Sequence, residues 1–190
     1  MNIDWTPLDL PGCFSTSLPS FGDARGSFNK LYHQSDFAPV VPGLEIREAY
    51  LTISQKGVLR GMHFQRPPEA HQKVVCCVGG RVLDVMLDLR PGRGYGHATS
   101  VEMTPQGTNC VAIPIGVAHG FLALEDDAAL MYFVGTEYVP EADAGVLWNS
   151  FGFDWPLGSV GQDDPTLSDR DKGHPTLADF VPPIDWVSLK

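Results

Sequence analysis

A chain of 190 residues, 43% hydrophobic and 19% charged, has the size and composition of one folded domain with a substantial core, which excludes disorder. Thirteen Lys and Arg against 23 Asp and Glu give a net charge of -10, which excludes nucleic-acid binding as the main function, because that needs a basic surface. No apolar run approaches the roughly 18 residues that span a bilayer, and the opening MNIDWTPLDLPG has neither the basic nor the apolar region of a signal peptide, so the expected compartment is the cytoplasm.

Twenty Gly and 16 Pro punctuate the chain at short intervals, the pattern of an all-β sandwich or barrel. Residues 1–17 read as an N-terminal arm. The predicted strands follow as SFNKLY, EIREAYLTIS, VLRGMHF, KVVCCV, RVLDVMLDL, ATSVEMT, NCVAIP, HGFLAL and AALMYFVGTEYV. Gly79-Gly80 in VGGRV predicts a tight hairpin turn, and RPGRGYGH a looser one. In RVLDVMLDL, Leu83, Val85, Leu87 and Leu89 make a wholly apolar face, expected to pack inside the sandwich. Val82, Asp84, Met86 and Asp88 make the other face, where Asp84 needs a His or Lys partner if it meets a cavity. Helical signals are weak before residue 140. PEADAGVLW fits a short turn, and SDRDKGHPTLADF offers Ser168 as a cap and a short helix after Pro175. Residues 178–190 read as an extended tail that wraps the body, leaving one domain over 1–190. Cys13, Cys76, Cys77 and Cys110 show no zinc-type CxxC spacing and read as reduced, buried thiols.

The charge is uneven. Ten of the thirteen Lys and Arg lie between Arg25 and Arg93, and none between Gly94 and Asp169, so a cationic pocket for a small anion fits inside an acidic protein. The densest stretch is GVLRGMHFQRPPEAHQK, Gly57 to Lys73. In a regular strand Arg60 and His63 fall on opposite faces. They share one site only if the strand bulges, which Gly61 permits. Pro67-Pro68 ends the strand and Lys73 opens the next. A second motif, IPIGVAHGF, places His119 after a proline-glycine turn. Together the two stretches resemble the paired cupin motifs, in which histidines and a glutamate gather inside a small β-barrel. Here Gln65 stands where that metal site expects a second histidine. His63, Glu69 and His119 remain as ligand candidates, His71 falls beyond the proline turn, and Gln65 is a poor transition-metal ligand. The expectation is therefore no metal and no cofactor. A barrel holding His, Lys and Arg then points to acid–base chemistry on an anionic substrate.

FGDARGSF, GVLRGMHFQRPP, AHQKVV, VLDVMLDLR, IPIGVAHGF and LSDRD, in that order over roughly Leu18 to Leu177, resemble the dTDP-4-dehydrorhamnose 3,5-epimerase family of cupin-fold enzymes. The resemblance implies a metal-free jelly-roll barrel with short C-terminal helical segments, working as a homodimer on a nucleoside-diphosphate 4-keto-6-deoxy sugar. By matching motif it implies His63 as the base, with Asp171 (in preference to its neighbour Asp169) as its partner. Lys73 stabilises the enolate and Tyr132 is the acid. Arg60 holds the diphosphate, His119 lines the sugar site, and Asp84 is expected to support His119 from behind. Arg25 reaches diphosphate or nucleotide across the dimer, and Phe28 and Tyr138 are candidates to stack on the base. Glu48 and Asp143 complete the expected substrate contacts.

The chain departs from the family pattern at Lys30, Glu48, Tyr50, His71 and Phe133, positions expected near nucleotide and sugar. The base and acid positions are kept, so the chemistry is better specified than the substrate. A 3,4-ketoisomerase, a metal-dependent cupin enzyme and a non-catalytic sugar-nucleotide binding module stand as alternatives.

Overall fold

The computed structural model describes residues 3–183 and Trp186. Its strands are β1 (Thr6–Pro7), β2 (Phe14–Thr16), β3 (Ser20–Asp23), β4 (Gly26–Asn29), β5 (Glu48–Ser54), β6 (Leu59–Gln65), β7 (Lys73–Gly79), β8 (Val82–Asp88), β9 (Ala98–Met103), β10 (Cys110–Ile113), β11 (Val117–Ala123), β12 (Ala128–Val134) and β13 (Asp143–Gly145). Three short helices join them: α1 (Gln34–Phe37), α2 (Leu157–Val160) and α3 (Asp169–Lys172). One sheet has the order β1-β2-β10-β7-β12-β5 and the other β13-β6-β11-β8-β9, while β3 and β4 form a separate hairpin. Every pairing between these strands is antiparallel. Among the described residues no helix is long and apolar enough to cross a membrane.

The core has three layers because both sheets are covered on both faces. Between the sheets, Val75, Val111 and Leu130 from the first meet Met86, Phe121 and Met103 from the second. The outer face of the six-stranded sheet, with Val74, Cys76, Cys110 and Ala112, lies under Phe37, Val41 and Leu44 of the α1 region. The outer face of the five-stranded sheet lies under the C-terminal segment, including Trp155, Val160, Phe180 and Trp186. Such double cover explains why β7 and β11 read as nearly continuous apolar runs and not as alternating ones.

Several expectations need correction. VGGRV is not a hairpin. β7 and β8 belong to different sheets, so Gly79-Gly80 carries the chain across the barrel rim. Gly80 has φ +63°, and a Cβ there would lie 2.8 Å from the Ala128 Cα, so the crossing runs hard against β12. The wholly apolar face of β8 packs outward, Val85 and Leu87 under the C-terminal segment, and its Asp84 face points between the sheets. PEADAGVLW does open on a turn, at residues 140–142, but its residues 143–145 then pair with β6 as a strand that was not expected. After Pro175 the chain makes a turn and no helix; the helix is α3, ahead of it, capped where the Ser168 hydroxyl accepts from the Asp171 N–H at 3.1 Å. AALMYFVGTEYV stops being a strand at Val134. The N-terminal arm contributes β1 and β2 to a sheet. In the tail, Trp186 packs on Phe64 with ring centroids 5.5 Å apart, whereas residues 184, 185 and 187–190 lie outside the described residues.

β6 carries the bulge that matters. Opposite β11, His63 faces His119 and Arg60 faces Phe121, so three steps along β6 match two along β11. Gly61, at φ +145°, makes this possible: a Cβ there would sit 2.5 Å from the Gly120 Cα. The reciprocal Cβ on Gly120 would meet the Arg60 carbonyl oxygen at 2.8 Å. Gly61→Ala is therefore expected to cost about 2–4 kcal/mol of unfolding free energy. Urea denaturation followed by tryptophan fluorescence measures this, and an unchanged midpoint would contradict the close-approach argument.

Candidate active site

The bulge turns Arg60 and His63 toward the same space, and the two sheets supply the rest. A cavity of about 290 Å³ opens between them, lined by His63 and Arg60 from β6, Lys73 from β7, His119 from β11 and Tyr132 from β12. Glu48, Tyr138 and Asp143 stand on its rim, joined by Arg170 of α3.

His63 is bonded through Nε2 to the Asp171 carboxylate. Asp171 is 3% exposed although it belongs to a surface helix, while its neighbour Asp169 is fully exposed. Burial works to raise the Asp171 carboxyl, but the His63 bond and charge win and hold it below its usual value. An acceptor-only carboxylate on Nε2 requires the proton there, which leaves Nδ1 as the nitrogen with a free lone pair. Burial lowers the His63 imidazole, only partly offset by Asp171, so the neutral form is favoured.

Lys73 is 7% exposed and donates from Nζ to the His63 carbonyl oxygen at 3.0 Å, linking the two sheets. Burial pushes its ammonium down to about 8. The group stays largely cationic at neutral pH inside a nearly closed space, where a cation acts strongly. Tyr132, 5% exposed, lies in the opposite wall from His63. Burial first, then Tyr50 and Asp84, hold its phenol well above the ordinary value, so it keeps its proton. Tyr50 stacks on it at 4.6 Å with 11° between planes, and His119 meets it edge-on at 5.8 Å.

Asp84 has no exposed surface, and its Oδ2 accepts from or shares the proton of His119 Nε2 at 2.7 Å. Asp84 stands opposite Phe121, so this is a diagonal contact on the inner face of β8 and β11. The Arg60 Nε–H donates to the Ser54 hydroxyl at 3.0 Å, which fixes a half-buried guanidinium at the cavity wall. The Glu48 carboxylate accepts from the Tyr138 N–H at 2.6 Å, and Arg170 pairs with Asp143 at 2.5 Å. Arg25 and Phe28 are not brought to the cavity. They stand on the exposed β3–β4 hairpin, with Arg25 paired to Asp23 and Phe28 62% exposed against Phe21.

The cupin-type ligand set does not assemble. Among the described residues His63, Glu69 and His119 do not bring ligand atoms together. Gln65 instead ties down the segment after β12: its amide donates to the Thr136 hydroxyl and its oxygen accepts from the Val139 N–H at 2.7 Å.

The comparisons with known proteins agree with this architecture. Residues 7–179 match the family model described as dTDP-4-dehydrorhamnose 3,5-epimerase. The chain belongs to that family. It is 35% identical over 176 residues to the dTDP-4-dehydrorhamnose 3,5-epimerase of Mycobacterium tuberculosis, covering 90% of this chain and 86% of that one. It is also 35% identical to the dTDP-4-dehydrorhamnose 3-epimerase of Streptomyces niveus, covering 91% and 83%. A solved structure of the Mycobacterium tuberculosis rmlC epimerase superposes with a TM-score of 0.87 at 34% identity, covering 93% of this chain and 89% of that one. The fold is the family's cupin-like β fold, and the named relatives are epimerases, of the isomerase class.

Arg170, Gln65 and Thr136 were not read as site residues from the sequence of this family member, whereas Tyr50, expected near substrate, does line the cavity. Arg170 adjoins Asp171 in LSDRD, and that adjacency was the available signal. Phe133 was expected near substrate, but it faces the outer layer and packs on Tyr32 with centroids 5.7 Å apart, because it alternates with the inward Tyr132. His71 does reach the cavity. Its Nδ1 meets the Thr136 hydroxyl at 2.6 Å, and burial, with Lys73 second, pushes its pKa down to about 4. Unfolded His71 takes its proton near pH 6.5, so the unfolded chain holds more protons between about 6.5 and 4 and stability falls with pH across that window. His71→Gln is expected to remove up to about 3 kcal/mol of that acid loss, read by chemical denaturation at pH 7 and pH 4.5. Equal slopes in both proteins would contradict it.

Proposed function

We propose that this protein is an epimerase of nucleoside-diphosphate 4-keto-6-deoxy sugars, inverting C3, C5 or both. The observation that carries the reading is the placement of a neutral imidazole and a protonated phenol in opposing walls of one cavity, with a buried ammonium between the sheets. The 4-ketone acidifies the hydrogens on its neighbouring carbons. His63 Nδ1 removes one, and Asp171 holds the imidazole in the tautomer that can do so and balances the charge it gains. The enolate oxygen forms beside the Lys73 ammonium, which stabilises it as it appears. Tyr132 returns a proton to the other face of the planar carbon, and the centre inverts.

The rim supplies the anion site. Arg60 and Arg170 offer guanidinium groups for the diphosphate, and Tyr138, half-exposed at the mouth, offers a ring to the base. His119, backed by Asp84, contacts the sugar, while Glu48 and Asp143 select among hydroxyls or nucleotides. The relative from Streptomyces niveus is named a 3-epimerase and the one from Mycobacterium tuberculosis a 3,5-epimerase, so inversion at C3 is common to both names.

The working unit in this reading is a homodimer. β5 is an edge strand whose Leu51 and Ile53 are 52% and 57% exposed, and the separate β3–β4 hairpin exposes Phe21 and Phe28. An apolar edge of this kind calls for cover. A second copy would cover it and bring Arg25 and Phe28 to the partner's cavity. Four free cysteines suit the reducing cytoplasm.

Incubation with dTDP-4-keto-6-deoxyglucose in heavy water, followed by NMR, tests the chemistry. Deuterium is expected at C3, C5 or both, and His63→Asn is expected to slow its entry by about 10²–10⁴-fold. Tyr132→Phe is expected to keep some exchange while losing inversion. A fully active His63→Asn overturns the mechanism, and a migrated carbonyl would make the protein a 3,4-ketoisomerase. Sedimentation equilibrium is expected to give twice the chain mass, and Leu51→Glu with Ile53→Glu to give the monomer.

A further inference from the structure

Beside the base lies a second imidazole that the proposed reaction does not use. His174 follows α3 on the next turn of chain. Its side chain is 10% exposed, and its Nε2 is buried with no hydrogen-bond partner, 3.7 Å from Asp171 Oδ1. That oxygen is the one His63 Nε2 already holds. The two imidazoles stand edge to face, ring centroids 5.5 Å apart. The place is shaped to the ring. A Cβ on Gly145 would fall 2.4–2.6 Å from three atoms of the His174 imidazole, and Gly145 is the strand partner of His63. A side chain at 145 would expel the second imidazole from the first.

We propose that His63 Nε2, Asp171 Oδ1 and His174 Nε2 bind one divalent transition-metal ion of the zinc type, and that the ion switches the base off. The second clause rests on His63 being the base of the reaction proposed above. Among the described residues these are the only three such ligand atoms within 4.8 Å of one another. Two imidazoles and a carboxylate, with a fourth position left for water, form a donor set that zinc accepts. Metal–ligand bonds of about 2.0–2.2 Å place tetrahedral ligands roughly 3.3–3.5 Å apart. The Asp171–His174 edge is near that already. The His63–Asp171 contact has to open and the His63–His174 gap to close, each by side-chain rotation. The bare Nε2 of His174 gains the partner it lacks.

The consequence for the base follows from the tautomer. A neutral imidazole carries one N–H. With Asp171 alone that hydrogen is on Nε2 and Nδ1 is free. With a metal on Nε2 the hydrogen moves to Nδ1, the atom meant to receive the substrate's proton. The ion takes no electron and no ligand from the sugar; it occupies the orienting side of the base and so removes the lone pair on the working side.

The test uses the metal-free full chain and two ions. Cobalt(II) titration is expected to give visible d–d absorption saturating at one equivalent, and zinc to displace it. Zinc is expected to stop deuterium exchange into the 4-keto sugar with the same midpoint, and a chelator to restore it. His174→Asn, checked for an unchanged thermal transition, is expected to weaken both midpoints by more than about 100-fold, beyond the change typical of a residue outside the ligand set. No stoichiometric cobalt signal in the wild type overturns the site, as does a His174→Asn variant that binds cobalt like the wild type. Zinc bound at one equivalent with exchange unaffected overturns the blocking of the base. Cobalt bound, and lost in His174→Asn, by a metal-free protein that never exchanges the sugar supports the site and overturns the epimerase reading instead.

Discussion

At Gly61 and Gly120 the backbones of β6 and β11 approach so closely that neither position has room for a Cβ. This contact shortens β11 against β6 by one residue, and everything on the inner face of β6 takes its direction from it. Without the shift, strand alternation would send Arg60 and His63 to opposite sides of the sheet. With it, a guanidinium and an imidazole share one wall. The backbone conformation at Gly61, φ +145°, is one that side-chain-bearing residues rarely adopt, so the constraint is local and specific to glycine.

The polar interior that results is tolerable because the apolar burial is done elsewhere. The outer faces of both sheets are roofed, one by the N-terminal third and one by the C-terminal segment. The inter-sheet space can then hold Asp84, His119, Lys73 and Asp171 as long as each finds a partner. Asp84 takes His119, Asp171 takes His63, and Lys73 takes the His63 carbonyl. These three contacts each join separate elements, so the same bonds that satisfy desolvated groups also fix the rotamers of the residues facing the cavity. Lys73 shows the effect on reactivity most plainly. Burial lowers its pKa to about 8 without neutralising it, leaving a poorly solvated cation where an enolate oxygen is expected to form.

The strands were legible because their runs of Val, Leu and Ile are long and their ends are marked by Gly and Pro. The bulge was legible in RGMH, since Arg60 and His63 could meet in no other way. What sequence periodicity could not give was the side of each face. The apolar face of β8 reads as the inner one only if the sandwich interior is assumed to be the most apolar place, and here the roofed outer face is more apolar than the cavity wall. VGGRV failed for a related reason. A glycine pair reports a tight change of direction, and a turn between two sheets needs that as much as a hairpin does. Arg170, on the one-turn helix α3, and His174, just after it, were hidden because the docking of that segment against β6 is a long-range contact, set by Asp171 reaching His63 and not by any local pattern.

The departures from the family pattern divide according to this geometry. Phe133 lies outside the cavity altogether, so that change alters the roof and not the site. Tyr50 and His71 lie inside it, one stacked on Tyr132 and the other bonded to Thr136. Tyr50 belongs to the six-stranded sheet beside Tyr132, while His71 also adjoins Gln65 of β6. In the epimerase reading, proton removal by His63 is insulated from the Tyr50 change, since Asp171, Gly145 and the bulge hold that wall independently. Proton return is not insulated. In the same reading the stacked Tyr50 restricts the approach of Tyr132 to the sugar, and a sugar that presents C3 and C5 at different depths meets one acid position. In that reading the choice between one inversion and two is assigned to the six-stranded sheet, in the Tyr50–Tyr132 stack, and not to the base.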